Sequence, residues 1–296
     1  MYQRKGSYLS SAGKTYSVPS RDNNINFLRF IAASLVIWFH MASLLAIPEP
    51  YIMGQGLGPI AVNIFFVLSG YLIAKSWTRS SSFGSYLIRR IARIFPGLAV
   101  VILLSVFVMG PIVTSLPLGD YFADAGTWKY LSLIVLAPIS NVLPGVFDAN
   151  PLPYAVNGSL WTLRYEFLAY LLTPLLYAAT KKLCGGRKLV FAVVLAVLVL
   201  VHFLSYSGLY PLPKVLDNLF RLFAYYMAGV AVLELGLDKY CDSQFAVVAL
   251  LVIIVFRDQV GIFSSLIMFV CVCTFTLGFS LTSNPRFAPC FKKNDY

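Results

Sequence analysis

A chain of 296 residues that is 59% hydrophobic and only 12% charged, with a mean hydropathy of +0.78, carries about half the charge of an ordinary soluble domain. That composition excludes a water-soluble globular enzyme and points to an all-α, polytopic membrane protein built from apolar helices of about 20 residues. The net charge of +11 is unevenly spread, with only Lys129, Lys214 and Arg257 in the expected outer loops. The basic excess therefore reads as an orientation signal and not as a nucleic-acid site.

Residues 1–23 are polar, lack the apolar core of a cleavable signal peptide, and read as a flexible cytoplasmic tail. Residues 24–296 read as one membrane domain. The first span, Asn24 to Leu45, carries Arg29 and His40 in an otherwise apolar helix, where ionisable groups are costly unless they are used. Eleven helical steps close to within roughly 20° of three full turns and climb about 16 Å. Both side chains thus share one helix face, the guanidinium near one membrane surface and the imidazole more than halfway across.

The second span, Gly58 to Trp77, contains NIFFVLSGYLI, whose Ser69 and Gly70 allow close helix packing and whose Asn63 and Tyr71 supply hydrogen bonds. In the following SYLIRRIARIFPG, Arg90 and Arg93 lie three apart and are neighbours on one helix face. Such a pair suits the phosphates of a ligand at the inner mouth of a cavity, or simply anchors the third span, Ile91 to Gly110, on its cytoplasmic side. The outer stretch from Pro111 to Asn157 is rich in proline and glycine, and its apolar YLSLIVLAPI is too short to cross. It reads as a re-entrant or interfacial segment, either an acceptor-binding element or a connector held at the interface by Trp128 and Tyr130.

The fourth span, Gly158 to Thr180, opens with NGSLWTLRYEF and places Arg164 and Glu166 near its outer end. Two residues apart, they do not face each other. Glu166 is expected to pair with Arg29, Arg221 or Arg164, or to orient His40. Four further spans follow, Leu189 to Ser205, Leu219 to Gly236, Gln244 to Phe256 and Gly261 to Leu281, making about eight with both termini cytoplasmic. The chain has only two histidines, so a general base working near neutral pH is His40 or His202, and His40 has the same-face cation. His202, near an outer end, reads as a cap or hydrogen bond to a neighbour. None of the five cysteines falls in an outer loop and no pair has zinc-site spacing with a second pair, so neither a disulfide framework nor a metal site is expected.

Four of these motifs occur together and in order: Arg29 with ten residues before His40, FFVLSGYL from Phe65 to Leu72, RRIARIFP with Arg90 and Arg93, and NGSLWTLRYEF with Trp161 and Glu166. In this the chain resembles the membrane acyltransferase 3 family, which moves acyl groups, usually acetyl from coenzyme A, to sugars of cell-envelope or exported polysaccharides. The resemblance implies an inner-membrane O-acetyltransferase with His40 as catalytic histidine, Arg29 as its partner and Arg90 with Arg93 as cytoplasmic coenzyme A contacts. Glu166 is the third candidate catalytic residue. A sugar hydroxyl needs a base to remove its proton as it attacks the thioester, and the oxyanion then needs donors or positive charge.

Two departures accompany the resemblance. Asn26 stands three before Arg29, where the family often has an acid, and the family's usual ten or so spans imply that this chain is cut short near Tyr296. The rival class is a transporter or flippase in which Arg29, His40 and Glu166 form an intramembrane proton or substrate pathway. The chain lacks the inverted repeats that class favours.

Overall fold

The computed structural model describes residues 7–9, 15–17, 24–137, 142–154, 156–180, 186–259 and 261–282. Of the expected tail it describes only two short strands, β1 (Ser7–Leu9) and β2 (Thr15–Ser17), paired antiparallel. The basic residues Lys181, Lys182, Arg286, Lys292 and Lys293, with Cys184 and Cys290, lie outside the described residues.

Each of the eight apolar stretches holds a helix. They are α1 (Ile25–Leu44), α2 (Leu57–Thr78), α3 (Phe83–Leu104), α7 (Leu163–Thr180), α8 (Arg187–Tyr206), α9 (Lys214–Leu235), α10 (Ser243–Val255) and α11 (Ser264–Leu281). The numbers between belong to the outer stretch, with α4 (Gly110–Val113), α5 (Leu118–Ala123) and α6 (Ala125–Tyr130). Among the described residues, six helical units are long and apolar enough to cross a membrane: α1, α2, the continuous unit from Phe83 to Val113, α8, α9 and α11. The other two fall short. α7 is diluted by Arg164, Glu166 and Pro174, and the 13 residues of α10 rise only about 20 Å against a hydrocarbon core of about 30 Å.

The centre of the bundle is the crossing of α2 and α9. A methyl group on Gly70 would lie 1.9 Å from the Tyr226 carbonyl oxygen, and one on Gly229 would lie 2.1 Å from that of Val67. Only glycine permits backbones to meet this closely, which is how the small residues of FFVLSGYL are used. α1 packs on the other side of α2, with the Phe39 ring against Gly58. Asn24 joins the start of α1 to the end of α11, its backbone N–H donating to Ser280 O at 3.3 Å and its Nδ2 to Phe279 O at 3.1 Å. At the same end, Asp242 before α10 takes the Ser243 N–H at 2.6 Å and the Thr282 hydroxyl at 3.1 Å. These two donors hold its carboxyl below the usual aspartate range.

The third unit runs 31 residues, about 46 Å, so its basic start extends beyond a hydrocarbon core of about 30 Å. It does not stop at Gly110 as the sequence suggested. Ser105–Met109 form a π turn in which Ser105 O accepts the Gly110 N–H. In that register Val106 O would look to residue 111, a proline with no N–H. The Tyr121 hydroxyl supplies the donor at 3.0 Å. It fits only because residue 110 is glycine: a methyl there would lie 2.1 Å from the hydroxyl.

The outer stretch is a folded cap rather than a loose connector. Tyr121, Tyr130, Leu143, Val146 and Val156 are buried in it, and Thr114 bridges Val146. Trp128 remains half exposed, as an interfacial anchor should be, but Tyr130 is fully buried and is part of the cap's interior. A second tie on this side is the hairpin of β3 (Tyr51–Ile52) and β4 (Gln55–Gly56). Its Met53 donates its N–H to Arg257 O at 2.6 Å and accepts the Tyr206 hydroxyl at 3.2 Å.

Gly70→Ala should overpack the α2–α9 crossing and cost about 1–3 kcal/mol, whereas Gly97→Ala, with nothing within 4 Å, should not destabilise. Thermal melts of the two purified variants in the same detergent check the contrast.

Candidate active site

On α1, Arg29, Ala33, Val36 and His40 form one stripe of half-buried positions, while Phe30, Ile37 and Met41 on the opposite flank are exposed. Arg29 and His40 therefore do share the face turned toward the bundle. His40 stands four residues before the end of α1, beside the Phe39 ring, edge-on at 5.2 Å. Its other neighbour is the turn that opens α7. A methyl on Gly158 would lie 3.8 Å from His40 Cε1 and 3.9 Å from Nδ1, so the imidazole backs onto the bare glycine. Gly158 and Ser159 are exposed, and the imidazole makes no hydrogen bond among the described residues. An imidazole without a hydrogen bond keeps one nitrogen able to accept a proton.

Glu166 is not brought to His40. It lies eight residues beyond Gly158 on α7 and its carboxylate accepts the Tyr170 hydroxyl. It makes no ion pair with Arg29, Arg164 or Arg221 among the described residues. Arg164 turns to its neighbour instead, its guanidinium 4.9 Å from the Tyr165 ring centroid and Nη2 donating to the Tyr165 hydroxyl at 3.3 Å. The neighbours of Tyr170 reach the inner arginines. Arg90 lies over the rings of Tyr86 and Tyr170, at 5.7 and 5.8 Å from their centroids. The Tyr86 hydroxyl donates to Tyr170 O at 2.9 Å. The aromatic pair sheathes one side of the Arg90 guanidinium, while Arg93 is exposed. Two guanidiniums three apart at a helix start, one braced and one free, can take phosphate oxygens.

Arg221 has a different set of partners from those the sequence offered. Nη1 donates to Asn63 Oδ1 at 2.8 Å and Nη2 to Asn218 Oδ1 at 3.0 Å. Nearby, Asp217 accepts the Ser205 hydroxyl at 2.7 Å. Among the described residues His202 neither caps nor bonds a neighbour: it is buried, its two ring nitrogens have no hydrogen-bond partner there, and Tyr206 lies edge-on at 6.1 Å. Glu234, at the other end of α9, pairs with Arg187 Nε at 2.8 Å and accepts the Tyr177 hydroxyl at 2.6 Å.

Sequence reasoning passed over Asn157, Ser105 and Tyr170 as single residues and took Tyr130 only as an interfacial anchor. Asn157 Nδ2 donates to Ser105 Oγ at 2.7 Å and to Tyr130 Oη at 2.9 Å. The Asn-Gly pair at 157–158 is a turn signal that could have drawn attention to this position. Nothing in the sequence connects Ser105 or Tyr130 to it.

A family model described as an acyltransferase domain matches residues 22–237, and the chain belongs to that family, the one its motifs resemble. It is 38% identical over 164 residues to the O-acetyl transferase of Shigella phage Sf6, covering 54% of this chain and 47% of that protein. It is 29% identical over 182 residues to nodulation protein 10 of Rhizobium leguminosarum bv. viciae, covering 58% and 48%. With the peptidoglycan O-acetyltransferase OatA of Listeria monocytogenes it shares 31% identity over 191 residues, covering 60% and 27%. The matches thus span about half or less of the length of these curated relatives. No solved structure matches the chain.

Tyr170→Phe removes the donor to Glu166 and should cost about 1–3 kcal/mol by leaving a carboxylate oxygen unpaired inside the bundle. Thermal unfolding against wild type measures it.

Proposed function

We propose that the protein is a membrane O-acyltransferase that moves acetyl from acetyl-CoA to a hydroxyl of an exported or cell-envelope polysaccharide or its lipid-linked precursor. The observation that carries the reading is His40: in a member of this acyltransferase family, it stands on the bundle-facing stripe of α1 with an unbonded imidazole at an exposed turn. Two of the relatives are named as O-acetyl transferases, and the name of one gives peptidoglycan as its substrate. The setting is the cell inner membrane, with both termini cytoplasmic and α7 and α10 crossing along with the six longer units.

In the proposed reaction the acceptor hydroxyl gives its proton to His40 as its oxygen attacks the thioester carbonyl. The tetrahedral intermediate collapses with cleavage of the carbon–sulfur bond, and the imidazolium returns the proton to the departing coenzyme A thiolate. Arg29 lies about 16 Å along α1 from His40, so its role is on the donor's route rather than in contact with the base. Arg90 and Arg93 take the nucleotide phosphates at the inner end, and the pantetheine arm carries the acetyl group outward. Glu166 accepts the Tyr170 hydroxyl, the ring of Tyr170 lies against Arg90, and Glu166 bears on the donor site through that tyrosine.

Purified protein incubated with labelled acetyl-CoA and cell-envelope polysaccharide should form an ester product. His40→Ala should lower the rate by about 10²- to 10⁴-fold with an unchanged melt; substantial transfer in that variant would refute the base. Replacing Arg90 and Arg93 together by Gln should raise the apparent KM for acetyl-CoA by about tenfold or more, and an unchanged KM would count against the donor site. A transporter would move its substrate unmodified and yield no ester.

A further inference from the structure

The two hydrogen bonds of Asn157 have a fixed polarity. Ser105 uses its own hydroxyl hydrogen on Val101 O at 2.8 Å, and Tyr130 uses its hydrogen on Val156 O at 3.4 Å. Burial raises the phenol pKa of Tyr130, which keeps that hydrogen in place. Each hydroxyl has a single hydrogen, so both can only accept at Asn157. An amide NH2, with two hydrogens, serves both at once; a carboxylate of the same size is bonded only if the two hydroxyls give up Val101 O and Val156 O.

The backbone of Asn157 is equally constrained. Its φ is 53°, in the left-handed region that asparagine tolerates better than most residues. Its carbonyl accepts the Leu160 N–H at 3.0 Å and so starts the 3-10 turn Gly158–Thr162. The residue immediately after it is the glycine that backs onto His40. On the other side, Ser105 belongs to the π turn of the third unit, a kind of bulge that recurs at functional sites. One side chain therefore ties the π turn, the buried cap and the wall of the imidazole together.

We infer that Asn157 is a positioning residue for acyl transfer: its amide clamps the 157–159 turn against His40 and thereby fixes the base's orientation. The catalytic part rests on the acyltransferase reading; the effect on the imidazole does not. Since His40 has no hydrogen bond among the described residues, its ring is bounded by the Phe39 ring on one side and, a methyl's width away, by the 157–159 turn on the other. Releasing the turn spoils the alignment of the base without touching the inner arginines.

Two substitutions separate the amide from the backbone. Asn157→Gly keeps the left-handed conformation and deletes the amide, and Asn157→Asp keeps the size but reverses the polarity. In the full chain, both should lower kcat by about 10- to 100-fold, the cost of a misplaced catalytic group, with the KM for acetyl-CoA unchanged within about twofold. Ser105→Thr, which retains the hydroxyl, should keep most of the activity. A second readout needs no turnover. With only two histidines in the chain, ¹⁵N-histidine labelling gives two imidazole spin systems, assigned with His202→Gln. Asn157→Gly should shift or broaden the His40 signals and leave those of His202 in place. Unchanged His40 signals together with unchanged kcat in folded Asn157→Gly and Asn157→Asp would overturn the inference. If these variants do not fold, Tyr130→Phe, which deletes one of the two acceptors, must move both readouts in the same direction, and its failure to do so is equally decisive. If the wild type forms no ester, the acyltransferase reading fails while the NMR comparison still decides whether the clamp exists.

Discussion

The close approach of α2 and α9 sets the frame for the other polar contacts of the bundle. The two helices run parallel and touch where Gly70 meets the Tyr226 carbonyl and Gly229 that of Val67. Backbones this near fix the register, so residues a set number of turns from the crossing stand opposite one another. Asn63 lies seven residues before Gly70 and Arg221 eight before Gly229, and they meet at 2.8 Å. On the other face of α9 the Tyr226 hydroxyl meets that of Thr173 at 2.6 Å, which draws in α7. A bilayer offers no water to a stranded polar group, and a glycine crossing is a compact means of delivering partners on both sides of it.

From that frame the molecule separates its charges by depth. Glu234 and Arg187 make the ion pair at one end of α8 and α9. Glu166 is satisfied by a phenol rather than by an arginine, which leaves Arg90 and Arg93 free of intramolecular carboxylates among the described residues. The rings of Tyr86 and Tyr170 shield one side of Arg90 without neutralising it, as cation–π contact allows. A cationic inner end and an imidazole at the far end thus coexist on helices that share one core.

Much of this was legible from the chain. Apolar length placed a helix in each of eight stretches, six of them in units long and apolar enough to cross a membrane, and the eleven-residue spacing of Arg29 and His40 gave the correct shared face. The small residues Ser69 and Gly70 announced a packing surface. What periodicity could not give was partnership between helices. Glu166 had several basic candidates, and the geometry supplied a tyrosine one turn away instead; Arg221 was offered to a carboxylate and went to two amides. The cap was read as a re-entrant or interfacial segment, either an acceptor-binding element or a connector, because its apolar core is too short to cross. Its fold depends on tyrosines that reach main-chain carbonyls from distant segments, as Tyr121 does to Val106, and such contacts leave no periodic trace.

The π turn before Pro111 carries a further implication for how such a helix can change over time. A π turn closes over five residues where an α turn closes over four, so it amounts to one extra residue in the coil. Each residue turns the chain by about 100°. Everything beyond Met109 is therefore rotated relative to everything before Ser105. The third unit can keep its arginine face aimed at Tyr86 and Tyr170 while the angular setting of the segment after Met109 is adjusted independently, one insertion or deletion at a time.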